Sequence, residues 1–584
     1  LGNVQSGKTS HLFGVISKLA DNGFELFIIL TTDNVVLQNQ TFTRAVSSLS
    51  SFNVYGETDD VAFLNNKLKK PVVITLKKNN NILRKWKNLL SSSGYCAGRP
   101  LAIVDDEADA ASLNTLINKK RISTINSHLS EIKNLSPSSL FIQVTATPQS
   151  LFLQTNLSGW RPEFTYYFKP DRSYIGGDFI YSSPKPFSIQ ITGENELDMI
   201  KDEDSYIPDG LKNALLTFLV TCAHFNLNSI SNCNFLIHPS VRIADHEVMS
   251  KVIGEHLNEM LLAISDDSED LITPQLLDVY NELKVSKPDL EDFDDIILEV
   301  SSIIDNQTIK VIIMNSTSSY DLGFASGFNI IVGGNSLGRG VTIPKLQTVY
   351  YCRKSKTPQA DTFWQHSRMF GYDRDRSLLR VFLPQSLYNL FSELNVANKI
   401  LINQILNPDG LDVQIIYPKN IRPTRKSVVD NKSLNLIMGG VDYFSSNPRQ
   451  DNLETLNTLL KSYDEKLQYH HVSLELVYNI LKNVGDQDLG NWNSNRYANA
   501  IKNLASKRLQ GDIYLILRKN RKISRNTGTL LTPNDRSLGK KFPNDTVITL
   551  YQVEGSVDNG WEGKPFYIPN IKLPEGLCIY DISE

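Results

Sequence analysis

Cysteine is scarce: five residues in 584, at Cys96, Cys222, Cys233, Cys352 and Cys578, with no close pair. That scatter excludes a zinc knuckle and a disulfide framework, and it reads as the reduced thiols of a cytoplasmic protein. Long apolar runs are missing as well. Nothing approaches the ~18 uninterrupted apolar residues of a membrane helix, so no membrane partner is expected. Neither charge dominates: the formal net charge is -3, which excludes a polycation and leaves nucleic acid to be met by local basic surfaces. Internal repeats and low-complexity tracts are absent. So is an initiating methionine. Leu1 falls where the strand feeding a phosphate loop should end, and the sequence reads as a fragment lacking an N-terminal part.

What remains is an ordinary globular composition, 41% hydrophobic and 21% charged. At roughly 100–200 residues per domain, the length calls for three to five units. In the first part, apolar runs at Phe24 to Leu30, Val72 to Leu76, Leu101 to Val104 and Leu140 to Val144 alternate with amphipathic segments. Buried parallel strands separated by helices are expected, in a doubly wound α/β lobe over residues 1–155. An aromatic, glycine-punctuated stretch and one helix read as a connector over 156–230. A second α/β series spans 231–410, with runs at Phe235 to His238, Lys310 to Met314, Asn329 to Val332, Thr348 to Tyr351 and Leu378 to Leu383. The acidic stretch Asp266 to Asp295 that interrupts it is expected to be a solvated surface. A linker with a helix (411–470) and a C-terminal α+β module (471–584) complete the chain.

Three constellations carry chemistry. Gly2-Asn3-Val4-Gln5-Ser6-Gly7-Lys8-Thr9 fits the phosphate-loop pattern. Its glycines let backbone N–H groups face phosphate oxygens, and the following helix points its positive end at the same anion. Lys8 should reach the β- and γ-phosphates of ATP, and Thr9 should hold magnesium. Next, the apolar strand Leu101 to Val104 runs into Asp105-Asp106-Glu107-Ala108-Asp109. Asp106 is assigned to metal and Glu107 to general base, with Asp105 a rival for the metal because the register is open by one. Strand Leu140 to Val144 then ends in Thr145-Ala146-Thr147, whose hydroxyls can bond the acidic motif. Finally, Gly338 to Pro344 and Gln365-His366-Ser367-Arg368-Met369-Phe370-Gly371-Tyr372 precede Arg374 and Arg376. A guanidinium across a cleft from the γ-phosphate would stabilise transition-state charge.

These residues resemble the superfamily-two helicases, including a literal Asp-Glu-Ala-Asp string at Asp106 to Asp109. Gly-Asn-Val-Gln-Ser-Gly-Lys-Thr, Val-Asp-Asp-Glu-Ala-Asp, Leu236-Ile237-His238-Pro239-Ser240, Met369-Phe370-Gly371-Tyr372 and Arg422-Pro423-Thr424-Arg425 together look like the Z1-domain proteins. Those are helicase-like proteins of bacterial restriction and defence clusters, often labelled putative endonucleases. The resemblance implies two RecA-like parallel-sheet lobes with ATP between them and nucleic acid across both. It adds Gly340 and Gln365 to the nucleotide-binding set of Gly2, Gln5, Ser6, Gly7, Lys8 and Thr9. It makes Arg368 and Arg374 the leading catalytic arginines, with Arg376 a third. It places Thr31, Thr32, Thr75 and Lys77 near a nucleic-acid backbone. The adenine-reading segment would lie upstream of Leu1.

The expected function is therefore an ATP-dependent DNA translocase or helicase-like motor, partnered by other restriction or defence proteins, with DNA favoured over RNA. A magnesium-dependent endonuclease with regulatory lobes and a nucleotide-switch ATPase that recruits a partner are the alternatives. For a nuclease the tail offers only Asp545 and Glu562-Gly563-Lys564, and Glu562 sits in a turn-like segment. His238, Asp245 and His246 read as a strand-end histidine and a surface pair rather than a metal set. His470 and His471 read as structural or surface residues. Two basic clusters are candidate phosphate contacts: Lys67, Lys69, Lys70, Lys77 and Lys78, and then Arg518, Lys519, Arg521, Lys522, Arg525, Lys540 and Lys541.

Overall fold

The computed structural model describes the chain apart from residues 66–69, 183–185, 203–205, 266–272, 315–322, 336–340, 408–412, 487–491, 507–510, 526, 528–529 and 583–584. The chain divides into two compact units. The first comprises Leu1–Leu151, Pro162–Asn395 and Pro423–Asp430, and the second Phe152–Arg161, Val396–Arg422 and Asn431–Glu584.

The first unit holds two RecA-like lobes. In one, strands β1 (Leu26–Thr31), β2 (Asn53–Tyr55), β3 (Val72–Lys77), β4 (Leu101–Asp106) and β5 (Ser139–Val144) form a sheet ordered β2-β3-β1-β4-β5. Every pairing is parallel. Helices cover both faces of such a sheet, which is why β1 and β4 are buried at all six positions. The carboxyl ends of β4 and β5 therefore deliver Asp106 and Thr145 to the same edge.

The other lobe contains β6 (Ile189–Thr192), β7 (Asn232–His238), β8 (Ile309–Met314), β9 (Gly327–Gly333), β10 (Leu346–Tyr351) and β11 (Arg380–Pro384). Their order is β6-β11-β10-β7-β9-β8, again wholly parallel. The segment expected as a connector supplies β6 to this sheet. It also supplies the helix Asp209–Leu227, which is buried on almost every side. Leu211, Leu215, Phe218 and Leu219 pack into one core with Phe235, Ile330, Leu283 and Ile296. A helix apolar all round has to be sandwiched, and this one lies between the sheet and the helices Thr273–Ser286 and Phe293–Asp305.

The first of these helices and the opening turn of the second come from the acidic stretch. Residues 266–272 of it lie outside the described residues, but the remainder is no merely solvated surface. Leu276, Val279, Tyr280 and Leu283 are buried, and Glu282 accepts 3.0 Å bonds from Nε of the fully buried Arg380. The acidic composition hid an amphipathic face and the counter-ion of a core arginine.

The second unit contains β12 (Ile415–Pro418), β13 (Leu434–Met438), β14 (Asp442–Phe444), β15 (His470–His471), β16 (Ile513–Arg521), β17 (Thr546–Val553), β18 (Phe566–Lys572) and β19 (Leu577–Ile582). A three-stranded antiparallel sheet runs β12-β19-β13, and a mixed sheet runs β14-β18-β17-β16-β15. Residues expected as a linker thus pair with the last two strands of the chain. One apolar core, including Ile416, Ile437, Ile480, Ile501, Leu515 and Ile571, spans both sheets. The linker strands and their partners lie more than a hundred residues apart, and local pattern carries no pairing information.

Candidate nucleotide site

The phosphate loop opens the helix Lys8–Asp21, with Gly7 in the left-handed region at φ 82°. That conformation costs an L side chain a steric penalty that glycine escapes. A side chain at Gly2 would meet Lys8 Cγ at 2.9 Å and Ser6 Oγ at 3.0 Å, so the loop also closes on itself only with glycine there. Gln5 is held left-handed too, at φ 56°. Lys8 donates from Nζ to the Asn3 carbonyl at 2.9 Å. Burial lowers its pKa, while Glu107, Asp106 and Asp109 pull it back and Arg368 lowers it further. The charges of both lobes therefore act on this ammonium group.

At the end of β4 the two adjacent aspartates have different fates. Asp105 is fully buried and forms a 2.8 Å ion pair with Lys78, whose side chain is equally enclosed. The same ammonium donates to the carbonyls of Asp106 and Glu107, both at 2.9 Å. Lys78 thus clamps the acidic turn: Asp105 pairs with Lys78, and Asp106 lines the cavity. Lys78 is accordingly no part of a basic surface. Lys77 beside it pairs with Glu57 at 3.4 Å. Lys67 and Lys69 lie outside the described residues. Asp106 has its pKa pushed up to about 6, by burial first and then by the neighbouring Glu107, against the pull of Lys8 and Lys78. Glu107 is itself strained into the left-handed region at φ 56°, a cost that only an over-determined local structure sustains.

Asp109 is the hub of a buried network. It accepts from Thr145 Oγ1 at 2.7 Å, Thr147 Oγ1 at 3.2 Å and, from the other lobe, Gln365 Nε2 at 2.9 Å. Gln365 also donates to Thr147 Oγ1 at 2.7 Å and Glu107 Oε2 at 3.3 Å. The hydroxyls at the end of β5 therefore do meet the acidic motif. Gln365 meets it as well, as a bridge between the lobes. Asp109 carried no role in the sequence reading, although its place in the acidic string was the available signal.

One cavity of about 340 Å³ gathers these groups. Gln5, Ser6, Gly7, Lys8, Thr9, Asp106 and Glu107 line it from the first lobe, and Gln365, Arg368 and Arg374 from the second. Leu37, Thr41 and Arg44 complete a wall that the sequence reading missed. Arg374 is paired with Asp373 and donates to Gln5 Oε1 at 3.0 Å and to the carbonyls of Arg368, Met369 and Ile343. Gly371 makes room for it: a side chain there would stand 2.4 Å from Arg374 Nη1. Arg368 donates from Nη1 to the Val341 carbonyl at 3.3 Å. Arg376 is elsewhere, donating to the Arg172 and Tyr174 carbonyls, and does not line the cavity. Gly340, like Gly338 and Arg339, lies outside the described residues.

The side chains at this cavity combine oxygen donors with cationic groups. Thr9, Asp106 and Glu107 offer only oxygen, which suits a hard divalent cation. A cation would also hold ionised a carboxylate that burial pushes toward neutrality. Among the described residues no group of three or more His, Cys, Asp or Glu could hold a metal.

Several other expectations are corrected. Asp245 and His246 are buried rather than a surface pair: Ser240 Oγ donates to Asp245 at 2.5 Å, and His246 lies 3.0 Å from the Ser240 carbonyl. Thr75 is fully buried and donates to the Tyr55 carbonyl at 3.1 Å, so it is not available to a nucleic-acid backbone. Thr31 is fully buried too. In the second unit, Glu562 follows the short turn Val557–Asn559, as its Asp-Asn-Gly context implied. Arg518 pairs with Asp535 at 3.0 Å, while Arg521, Lys522, Arg536 and Lys540 line a separate cavity of about 710 Å³. His471 pairs with Asp512 at 2.9 Å on the surface.

Residues 210–424 match the Z1 domain family, and residues 437–575 match the C-terminal domain of the restriction endonuclease CglI H-subunit. The chain resembles restriction-associated helicase-like proteins. Among solved structures it is similar to the C-terminal domain of the CglI restriction endonuclease H subunit, at 29% identity over 24% of this chain and 99% of that one (TM-score 0.21). It is also similar to S. cerevisiae Dbp5 bound to RNA and ADP BeF3, at 11% identity over 70% and 89% (TM-score 0.34), and to the Pyrococcus furiosus Hef helicase domain, at 12% over 66% and 91% (TM-score 0.25). No curated protein matches the chain. No described helix is long and apolar enough to cross a membrane.

Proposed function

We propose that this chain is an ATP-hydrolysing, helicase-like motor that moves on DNA within a restriction system. One observation carries the reading: a single cavity is lined by the phosphate loop and acidic turn of one lobe and by Gln365, Arg368 and Arg374 of the other. In this reading the backbone of Gln5 to Thr9 cradles the phosphates and Lys8 reaches the β- and γ-oxygens. Thr9 and Asp106 would hold magnesium, which supplies charge neutralisation on the phosphates. Glu107 accepts a proton from the attacking water. Arg374 is committed to its own loop and to Gln5, so Arg368 is the guanidinium that stabilises the transition state. Gln365 holds Glu107 and Asp109 and so ties lobe closure to the acidic turn. The basic rim of Arg521, Lys522, Arg536 and Lys540 is the proposed DNA contact of the second unit. The match to a restriction-enzyme subunit supports the biological setting and implies partner subunits.

The test is the ATPase rate measured in parallel with single-stranded DNA, duplex DNA and RNA, for wild type and Lys8→Ala. DNA-stimulated hydrolysis that Lys8→Ala abolishes is expected. Substantial residual hydrolysis in that variant would sink the assignment, and nucleotide binding without stimulation by any nucleic acid would favour the switch reading instead.

A further inference from the structure

The segment Pro423–Asp430 belongs to the first unit, although the residues on both sides of it belong to the second. It touches the nucleotide site's framework at two points, one on each lobe. Arg425 Nη2 donates to the carbonyl of Asp109 at 3.0 Å. Thr424 Oγ1 donates to Asp361 Oδ2 at 2.7 Å, and the Asp361 N–H points at the Pro423 carbonyl at 3.4 Å. Asp109 is the hub of the acidic turn, and Asp361 sits in the first turn of the short helix Ala360–Gln365 that ends in Gln365. Val428 and Val429 are buried, and Asn118 of the first lobe donates to the carbonyls of Lys426 and Val429 at 3.2 and 2.9 Å, which seat the segment firmly.

The Asp109 carboxylate thus receives Gln365 while its carbonyl receives Arg425, and the helix bearing Gln365 is held by Thr424 one residue before Arg425. A single short strap therefore sets the distance between the acidic turn and its partner in the opposite lobe. Placement errors of about 1 Å in such a constellation cost up to about a hundredfold in rate. We propose that Arg425, with Thr424, is a positioning residue for the hydrolysis step: it holds the Glu107–Asp109 turn against Gln365 without touching nucleotide. The proposal rests on the ATPase reading of the site.

The experiment measures steady-state ATP hydrolysis of the full chain with duplex DNA, together with binding of a fluorescent ATP analogue and thermal melting. The variants are Lys8→Ala, Arg425→Gln, Arg425→Lys and Thr424→Val. Arg425→Gln is expected to lower kcat by about ten- to a hundredfold with KM and analogue binding within about threefold of wild type. Arg425→Lys should recover part of the loss, because an ammonium group can still meet one carbonyl. Thr424→Val should lose kcat in the same sense, and it carries the test alone if Arg425→Gln does not fold. Wild-type kcat in folded Arg425→Gln or Thr424→Val, or a loss confined to KM, would overturn the proposal. Hydrolysis that survives Lys8→Ala would overturn it by a different route, through failure of the site assignment itself.

Discussion

Both units bury charged side chains, but to different ends. In the second unit the pairs are dispersed, a buried carboxylate meeting a half-buried arginine: Arg496 with Asp581 at 2.7 Å, and Arg518 with Asp535 at 3.0 Å, each tying a helix to its sheet. In the first unit Lys8, Asp106, Glu107, Gln365, Arg368 and Arg374 line one cavity, the Lys78–Asp105 pair bonds to the same acidic turn, and Asp109 accepts from Gln365. Burial of charge alone therefore does not mark a site, since a satisfied ion pair is an ordinary structural device. Convergence of acids, an amide and guanidinium groups from two lobes on one cavity is what separates the two regions.

The contrast can be broken most sharply at the arginines. Arg368→Ala should lower kcat by about 10³-fold or more in a folded protein. Arg374→Ala should first lower the melting temperature, because it strips a buried loop of its donors. An equal kcat loss in a fully folded Arg374→Ala, with Arg368→Ala near wild type, would exchange the two roles. Glu107→Gln should reduce kcat by about 10²- to 10⁴-fold with little change in KM, as removal of a general base does. A KM-only effect there would remove Glu107 from the general-base role.

Lys78→Ala leaves Asp105 buried without its cation and should destabilise the chain by about 3–5 kcal/mol in denaturant titration. Adding Asp105→Asn should restore part of that loss, and failure to do so would show that Lys78 acts through its carbonyl contacts instead. The pH dependence follows from Asp106. Its pKa, pushed up to about 6, means that the group is protonated below that value, so kcat/KM should fall as pH drops through about 6. For stability the sign is opposite. The folded state holds this proton more tightly than the unfolded chain, so the contribution of Asp106 is present at low pH and is lost as pH rises toward 6. Excess magnesium should move the activity limb to lower pH, and a limb insensitive to magnesium would argue against Asp106 as a ligand. The smallest effect is expected in the second unit: Arg496→Ala should cost about 1–3 kcal/mol of stability and leave kcat unchanged. Loss of ATP hydrolysis in that variant would erase the distinction between the regions.

Much of this was legible in the chain itself. The phosphate loop announces itself because only glycines permit its backbone and its lysine stands at a set place in the string. The buried parallel strands show as unbroken apolar runs, since both faces of such a sheet are covered. The short strands β2 and β6 were not legible, because three or four residues are too few to show a periodicity. Lys78 was misread for a related reason. A lysine one step past an apolar strand looks the same whether water or a carboxylate lies beyond it, and that carboxylate is on β4, twenty-seven positions along the chain.

The sequence by itself therefore determined the chemistry on offer: a phosphate cradle, adjacent acids, an amide and several guanidinium groups, each at the end of an element that local pattern could locate. Tertiary structure decided which of them meet. It committed Asp105 to Lys78 and left Asp106 to the cavity, carried Arg376 away, and brought Gln365 and Arg425 onto opposite sides of Asp109. The reason is that residue type and spacing are properties of the chain, whereas a shared cavity is made by strand order and crossovers between residues hundreds of positions apart.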